Sequence, residues 1–306
     1  MLRQALLAAS RSGGVRTFVE SAPFTRDVVR RFIAGETVDD ALRVTRDLTG
    51  RGLAVTLDVL GEDVLDKGQA EATVKHYVEL LGRLAELGLG DRAEVSLKLT
   101  AVGQALDEDL ALENARRVCA AARSAGTTVT LDMEDHTTVE STLRILKELR
   151  RDHPSTGAVI QSYLRRAEEY CAELAYEGSR VRLCKGAYAA PEHVAFTGKA
   201  DIDKSYVRCM RVLMSGKGYP MLATHDPRLI NIAGTFALVN DRAPGSYEYQ
   251  MLYGIRPQEQ RRLAAEGERV RVYVAYGAEW YGYFMRRLAE KPANLRFFLR
   301  SMATRS

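Results

Sequence analysis

The sequence predicts an α/β chain folded as a (β/α)₈ TIM-type barrel, and three observations lead there. Eight short apolar runs with strand character alternate strictly with segments of helical periodicity from Leu53 onward. The connections are short, as parallel strands joined by right-handed crossovers require. No GxGxxG opens a helix after the first run, so the usual signature of an open dinucleotide-binding sheet is missing. The units fill about 250 residues, the normal span of such a barrel. Residues 51–306 are therefore expected to form one barrel, and residues 1–50 a helical extension.

In chain order, 25–33 and 39–49 read as a helical preface. The first strand is LAVTLDV at 53–59, followed by a helix over 68–87. The second is VSLKLT at 95–100, with a helix over 113–124. The third is TVTLDME at 128–134, then a helix over 138–150. The fourth is AVIQSYL at 158–164, then a helix over 166–176. The fifth spans 181–186 and its helix 203–215; the sixth spans 221–225 and its helix 228–238. The seventh spans 247–253 and its helix 257–265. In the eighth, Val270, Val272 and Val274 alternate with Arg271, Tyr273 and Ala275 until Gly277 breaks the pattern. The last helix sets Tyr283, Arg286, Arg287 and Glu290 on one face, opposite Tyr281, Phe284, Met285 and Leu288.

Bulk properties exclude several classes. A net charge of +4, without a basic block interleaved with aromatics, argues against nucleic acid as a partner. No apolar run reaches the roughly 20 residues of a membrane span. The four cysteines, Cys119, Cys171, Cys184 and Cys209, have no zinc-ligand spacing and read as free thiols. No metal site is expected. The first 19 residues carry Arg and Ser and no acid, which fits either a transit-like leader or an ordinary amphipathic helix.

Barrel enzymes carry their chemistry at the C-terminal ends of the strands. There, strand parity turns Ser96, Lys98 and Thr100 inward, with Thr130, Asp132 and Glu134 beside them. A Lys98–Asp132 ion pair suits either a structural bridge or an oriented catalytic cation. Gln161, Arg182, Lys185, Thr224, His225, Gln250 and Tyr273 also sit late in strands. Single members of this set are unremarkable, since a lone His225 is commonly structural. Together with Arg286 and Arg287 they describe a polar mouth rich in cations, suited to an anionic ligand. On the helix alone, Arg286 and Arg287 equally fit a solvated basic face. Neither a GxSxG elbow nor an HExxH helix is present. A Schiff-base lysine at Lys98 or Lys185, or a non-catalytic binding barrel, stays open on residues alone.

The runs SLKLT, TLDMED, QSYLRRAEEY, RLCKGAY, ATHD, YEYQMLYG and VYVAYG…YFMRRLAEKPAN, in this order from Gly52 to about Phe298, resemble the proline dehydrogenase family. RLxKGAY together with YxxRRLxE is the specific combination. The resemblance implies a barrel whose last helix lies over its top, FAD bound at the strand ends, and oxidation of L-proline to Δ1-pyrroline-5-carboxylate by hydride transfer from Cδ to flavin N5. By position, Arg286 and Arg287 would hold the proline carboxylate with Lys98 as a third cation, oriented by Asp132. Tyr273 and Tyr283 would pack around the proline ring, and Glu290 would pair with an arginine of the last helix and gate the site. Arg182 and Gln161 would lie near the flavin ring; Lys185, Gly186, Ala187, Tyr188, Thr224 and His225 would belong to the FAD site.

Two departures from the family pattern fall in that site. Ala189 stands where the family commonly has Trp, and Asp226 where it often has Asn. Tyr273 stands where hydroxyproline-oxidising relatives tend to carry a smaller residue, which favours proline. The resemblance also implies a membrane quinone as electron acceptor, and hence a cytoplasmic chain peripheral to the inner face of the membrane. The N-terminal residues and the basic tail of Arg296, Arg300 and Arg305 are the candidate contacts. A separate pyrroline-5-carboxylate dehydrogenase would consume the product, with transient contact as one arrangement.

Overall fold

The computed structural model describes residues 29–61, 63–186 and 188–290, with side chains described as far as Met285. Eight strands carry the fold: β1 Ala54–Val59, β2 Ala93–Leu97, β3 Val129–Leu131, β4 Ala158–Gln161, β5 Arg180–Cys184, β6 Tyr219–Ala223, β7 Glu248–Leu252 and β8 Val270–Tyr276. They pair in parallel in the order β3-β2-β1-β8-β7-β6-β5-β4, so first and last strands are neighbours. The remaining seam, β3 against β4, is joined at one residue. Leu131 N donates to Gly157 O at 2.9 Å, and Gly157 N to Val129 O at 2.8 Å. A Cβ on Gly157 would stand 2.5 Å from Thr130 Oγ1, so glycine is what lets the strands meet there.

The helices are α1 Val38–Gly50, α2 Lys67–Glu86, α3 Glu108–Ser124, α4 Val139–Asp152, α5 Ala167–Leu174, α6 Lys199–Ser215, α7 Pro227–Val239, α8 Pro257–Ala265 and α9 Trp280–Glu290. Side-chain caps fix several starts. Thr37 and Asp40 form a capping box on α1, and Asp66 caps α2. Helix α3 begins five residues before the expected 113, because Asp107 accepts from the backbone of Asp109 and Leu110. The helix expected over 25–33 does not reach its end. Residues 25–28 lie outside the described residues, and the chain then turns so that Ile33 bridges Ala275 beside β8.

Two apolar clusters explain where the flanking helices go. The main core unites α2 to α8 with the outward faces of the strands, and it includes Val38, Ala41, Leu42, Val44 and Leu48 of α1. Helix α1 packs against β1 and β8, the flank that the eighth helix of an ordinary barrel would cover. A second cluster joins Trp280, Tyr281, Tyr283, Phe284 and Met285 of α9 to Leu60, Ile255, Ala275, Phe32 and Ile33. Leu60 and Ile255 follow the C-terminal ends of β1 and β7. Helix α9 therefore rests on the C-terminal rim, as the last helix was expected to do, and Trp280 Nε1 donates to Glu36 at 3.0 Å to tie it to the N-terminal segment. Among the described residues no helix is long and apolar enough to cross a membrane.

Candidate active site

The inward residues of the barrel form two polar layers. The lower layer, toward the N-terminal ends, is an ionic ring. Glu94 Oε2 meets Arg180 at 2.5 Å, and Arg271 meets Glu248 at 2.7 and 3.2 Å while donating to Val55 O at 2.9 Å. Thr56 and Thr130 donate to Glu94. Burial alone would raise the Glu94 carboxyl, but Arg180, Arg271 and Arg182 hold it down at about 2. Every charged group of this ring has an opposite charge beside it, which is the condition for keeping ions in a barrel core.

The upper layer is built from Asp58, Ser96, Asp132, Arg182, Gln250 and Tyr273, two positions further along the chain from the lower layer, with Lys98 two beyond Ser96. Asp132 is its hub. Its Oδ1 accepts from Ser96 Oγ and Arg182 Nη1, both at 2.7 Å, and its Oδ2 from Tyr273 OH at 2.7 Å. Arg182 Nε donates to Gln250 at 2.6 Å, and its guanidinium carbon lies 5.2 Å from the centre of the Tyr273 ring. Burial and the Asp132 charge keep the Tyr273 phenol far above its ordinary pKa, so it donates to the carboxylate as a neutral group. Lys98 Nζ lies 3.9 Å from Asp132 but 2.5 Å from Asp58 Oδ1. The expected Lys98–Asp132 proximity is present, yet the direct hydrogen bond of Lys98 goes to Asp58. Burial opposes the Lys98 charge, but the two carboxylates outweigh it and raise its pKa above the ordinary lysine value. Burial in turn raises the Asp58 carboxyl, against the pull of Lys98.

This electrostatics weakens the Schiff-base reading, because an imine-forming lysine must reach its neutral form. Lys185 offers no better candidate: it bonds Asp203 at 2.5 Å and lies 3.7 Å from Asp226.

Around the rim, Gln161 Nε2 donates to Met133 O and Glu134 O, at 3.1 and 2.7 Å. Gly186 follows β5 with φ +96°, and a Cβ there would stand 2.3 Å from the Tyr163 ring and 2.9 Å from Gln161 Oε1. Tyr188 is half-buried on the same loop; Ala187 lies outside the described residues. Thr224 Oγ1 accepts from Asp226 N, and Asp226 caps α7 while pairing with Arg228. That side-chain bond and the cap hold the Asp226 carboxyl well below its usual range, so the residue that departs from the family pattern is a charged helix cap. His225 Nε2 accepts from Leu252 N at 2.9 Å, which leaves the ring proton of the neutral tautomer on Nδ1.

Tyr283 is buried in the α9 cluster, so the helix face that carries it is not a solvated one at that turn. Arg286, Arg287 and Glu290 continue the same face three, four and seven residues on, within the backbone of α9. Their side chains lie outside the described residues, as do Arg296, Arg300 and Arg305.

The upper layer thus unites Lys98, Asp132, Arg182 and Tyr273, whereas Lys185, Thr224 and His225 stand apart from it on the β5–β7 side. Sequence reading overlooked Asp58 as a site residue, set Ser96 on the inward face and counted Gln250 into the polar mouth, and named a partner for neither. The available signal for Asp58 was its parity with Thr56, late in an otherwise apolar run.

The site suits a flavin in one respect. Arg182 is 4% exposed, yet its Nη2 has no hydrogen-bond partner among the described residues. The nearest carboxylate to that nitrogen is Glu94 Oε1 of the lower ring at 3.7 Å, beyond hydrogen-bonding reach, so Arg182 is a buried cation that an electron-rich flavin would complement. Among the described residues no cluster of potential ligands could hold a metal.

Comparison with known proteins agrees. The proline dehydrogenase family model matches residues 41–300. Proline dehydrogenase 1 of Bacillus subtilis (strain 168) is 37% identical over 302 residues, covering 99% of both chains. Proline dehydrogenase of Deinococcus radiodurans is 40% identical over 283 residues, covering 90% of both. Among solved structures, proline utilization A (PutA) from Bdellovibrio bacteriovorus inactivated by N-propargylglycine superposes with a TM-score of 0.79 at 25% identity, over 90% of this chain and 34% of that larger one. The chain belongs to the proline dehydrogenase family, flavin-dependent oxidoreductases whose oxidation of proline is the first step of proline catabolism.

Proposed function

We propose that the flavin is FAD, held along the C-terminal ends of β4 to β6, and that the chain oxidises L-proline to Δ1-pyrroline-5-carboxylate and passes the electrons to a quinone-type acceptor. The observation that carries this reading is the buried Arg182 cation, joined through Asp132 to Tyr273 and with Lys98 3.9 Å from the same carboxylate. When bound, the flavin supplies the acceptor for the hydride that leaves proline Cδ. The protein supplies orientation and charge.

In this reading Arg182 supplies positive charge next to the flavin, and Asp132 and Gln250 fix the guanidinium plane. Gln161 is held by two backbone carbonyls at the edge of the same surface. Lys185, Thr224, His225 and the loop of Gly186, Ala187 and Tyr188 would hold the remainder of the dinucleotide. Lys98, Arg286 and Arg287 would take the proline carboxylate as a cationic clamp. Tyr273, anchored by its hydroxyl on Asp132, would set the ring pocket together with Tyr283. Helix α9 would exclude water from above, and Glu290 would pair within that helix to gate entry. The amine proton of proline is lost to solvent on binding.

The discriminating experiment is the visible spectrum of the purified protein under anaerobic L-proline. Bleaching of the flavin band supports the reading, whereas an unchanged spectrum in a flavin-loaded protein contradicts it. Extraction of the cofactor distinguishes FAD from a shorter flavin. Co-sedimentation with liposomes, with and without proline, tests whether a membrane quinone is met at the bilayer surface. A coupled assay with a separate pyrroline-5-carboxylate dehydrogenase tests transient contact, which would shorten the lag before the second product appears.

A further inference from the structure

We infer that Asp58 is the positioning residue for Lys98: it, rather than Asp132, fixes where the ammonium stands and aims its remaining N–H groups at the substrate carboxylate. The inference rests on the reading of Lys98 as part of the carboxylate clamp. Its evidence is geometric. Asp58, on β1, is 1% exposed, and its Oδ1 stands 2.5 Å from Lys98 Nζ. Asp132 is 3.9 Å away, and both of its oxygens are already committed: one to Ser96 and Arg182, the other to Tyr273. Asp132 thus has three short donors and serves the Arg182 side of the network. Asp58 holds Lys98 by its shortest bond, and the Tyr273 hydroxyl interacts with both carboxylates.

An ammonium has three protons. One is held by Asp58, and that bond fixes the direction of the other two. Lys98 as a whole is 9% exposed. Without Asp58 the stem is free to swing toward Asp132, and the cation then meets a carboxylate that already has its partners. The charged and titratable groups facing the pair are Asp132 and Glu134 beyond β3, Tyr273 on β8, and Tyr77 and Tyr276 against Asp58. Burial holds Tyr77 and Tyr276 neutral, as it does Tyr273, so Asp58, Asp132 and Glu134 are the anions that keep Lys98 charged.

The test is a double-mutant cycle on flavin-loaded protein, using Asp58→Asn and Lys98→Met. Lys98→Met should raise KM for L-proline. If it does not, the clamp reading of Lys98 fails. Asp58→Asn should raise KM by about tenfold, the scale of one hydrogen bond to a charged group. It should change kcat less, and move the alkaline limb of kcat/KM to lower pH. Asp58→Glu, which keeps the charge on a longer arm, should recover part of the loss. In the Lys98→Met background Asp58→Asn should change KM by less than about twofold, since the two act as one unit. The inference is overturned if Lys98→Met raises KM while Asp58→Asn does not. Equal effects of Asp58→Asn in both backgrounds also overturn it. Should Asp58→Asn fail to load flavin, the same additivity criterion is applied to Asp58→Glu.

Discussion

The lower and upper polar layers of the barrel are made by the same strands two residues apart, yet they differ in how their charges are closed. In the lower ring, Glu94, Glu248, Arg180 and Arg271 face one another directly. In the upper layer, one nitrogen of Arg182 makes no hydrogen bond, with Glu94 3.7 Å away, and two carboxylates surround the one ammonium of Lys98. A saturated ionic ring has nothing left to offer a ligand and acts as core. An unsaturated one is a binding site in waiting, and its position at the C-terminal ends of the strands is where barrel enzymes work.

The largest expected effect breaks the lower ring. Arg271→Met leaves Glu248 buried without its closest cation, and should lower unfolding stability by about 3–5 kcal/mol, read from chemical denaturation. The surviving folded fraction should still oxidise proline.

Acid should sharpen the same point. Glu94 has a folded pKa of about 2 against an ordinary value of 4.5. A depressed carboxylate contributes stability above the unfolded pKa, which is lost as pH falls from 4.5 toward 2. The contribution is on the order of 3 kcal/mol. Melting curves for wild type and Glu94→Gln should therefore converge across that window. Parallel curves would mean that the ring does not hold the charge.

In the upper region and its cap the expected losses are in turnover. Arg286→Met and Arg287→Met should each lower kcat/KM for L-proline by about 2–4 kcal/mol in transition-state terms, with flavin content retained. Unchanged kinetics in both would remove them from the clamp. The smallest effect is at Tyr273. Tyr273→Ser should shift the ratio of activities toward 4-hydroxyproline by opening the pocket, and a ratio left unmoved would deny the ring-packing role.

Much of this contrast was legible in the sequence because strand parity is a strict rule. Lys98, Asp132, Arg182 and Tyr273 could be turned inward from alternation alone, and they do meet. What parity cannot give is the partner. Lys98 has inward carboxylates on both sides, on β1 and β3, and the choice of Asp58 over Asp132 depends on how three other donors occupy Asp132. Lys185 was legible as a late cation, but Asp203 reaches it from α6 across a loop whose path no periodicity encodes. The amphipathic pattern of α1 was equally plain. Its place on the β8–β1 flank followed from something nonlocal, the move of α9 onto the rim. Tyr283 shows the same limit: helical spacing grouped it with the arginines, but only its place in the cluster that holds Leu60, Ile255 and Phe32 decides which way that face turns.

The most direct measurement compares Arg182→Met with Arg271→Met, each purified with flavin bound, in a single anaerobic mixing with L-proline. The layered assignment predicts that Arg271→Met reduces its flavin within about threefold of the wild-type rate, while Arg182→Met is slower by about a hundredfold at equal flavin content. Equal slowing in the two variants, or a greater loss in Arg271→Met, would contradict it.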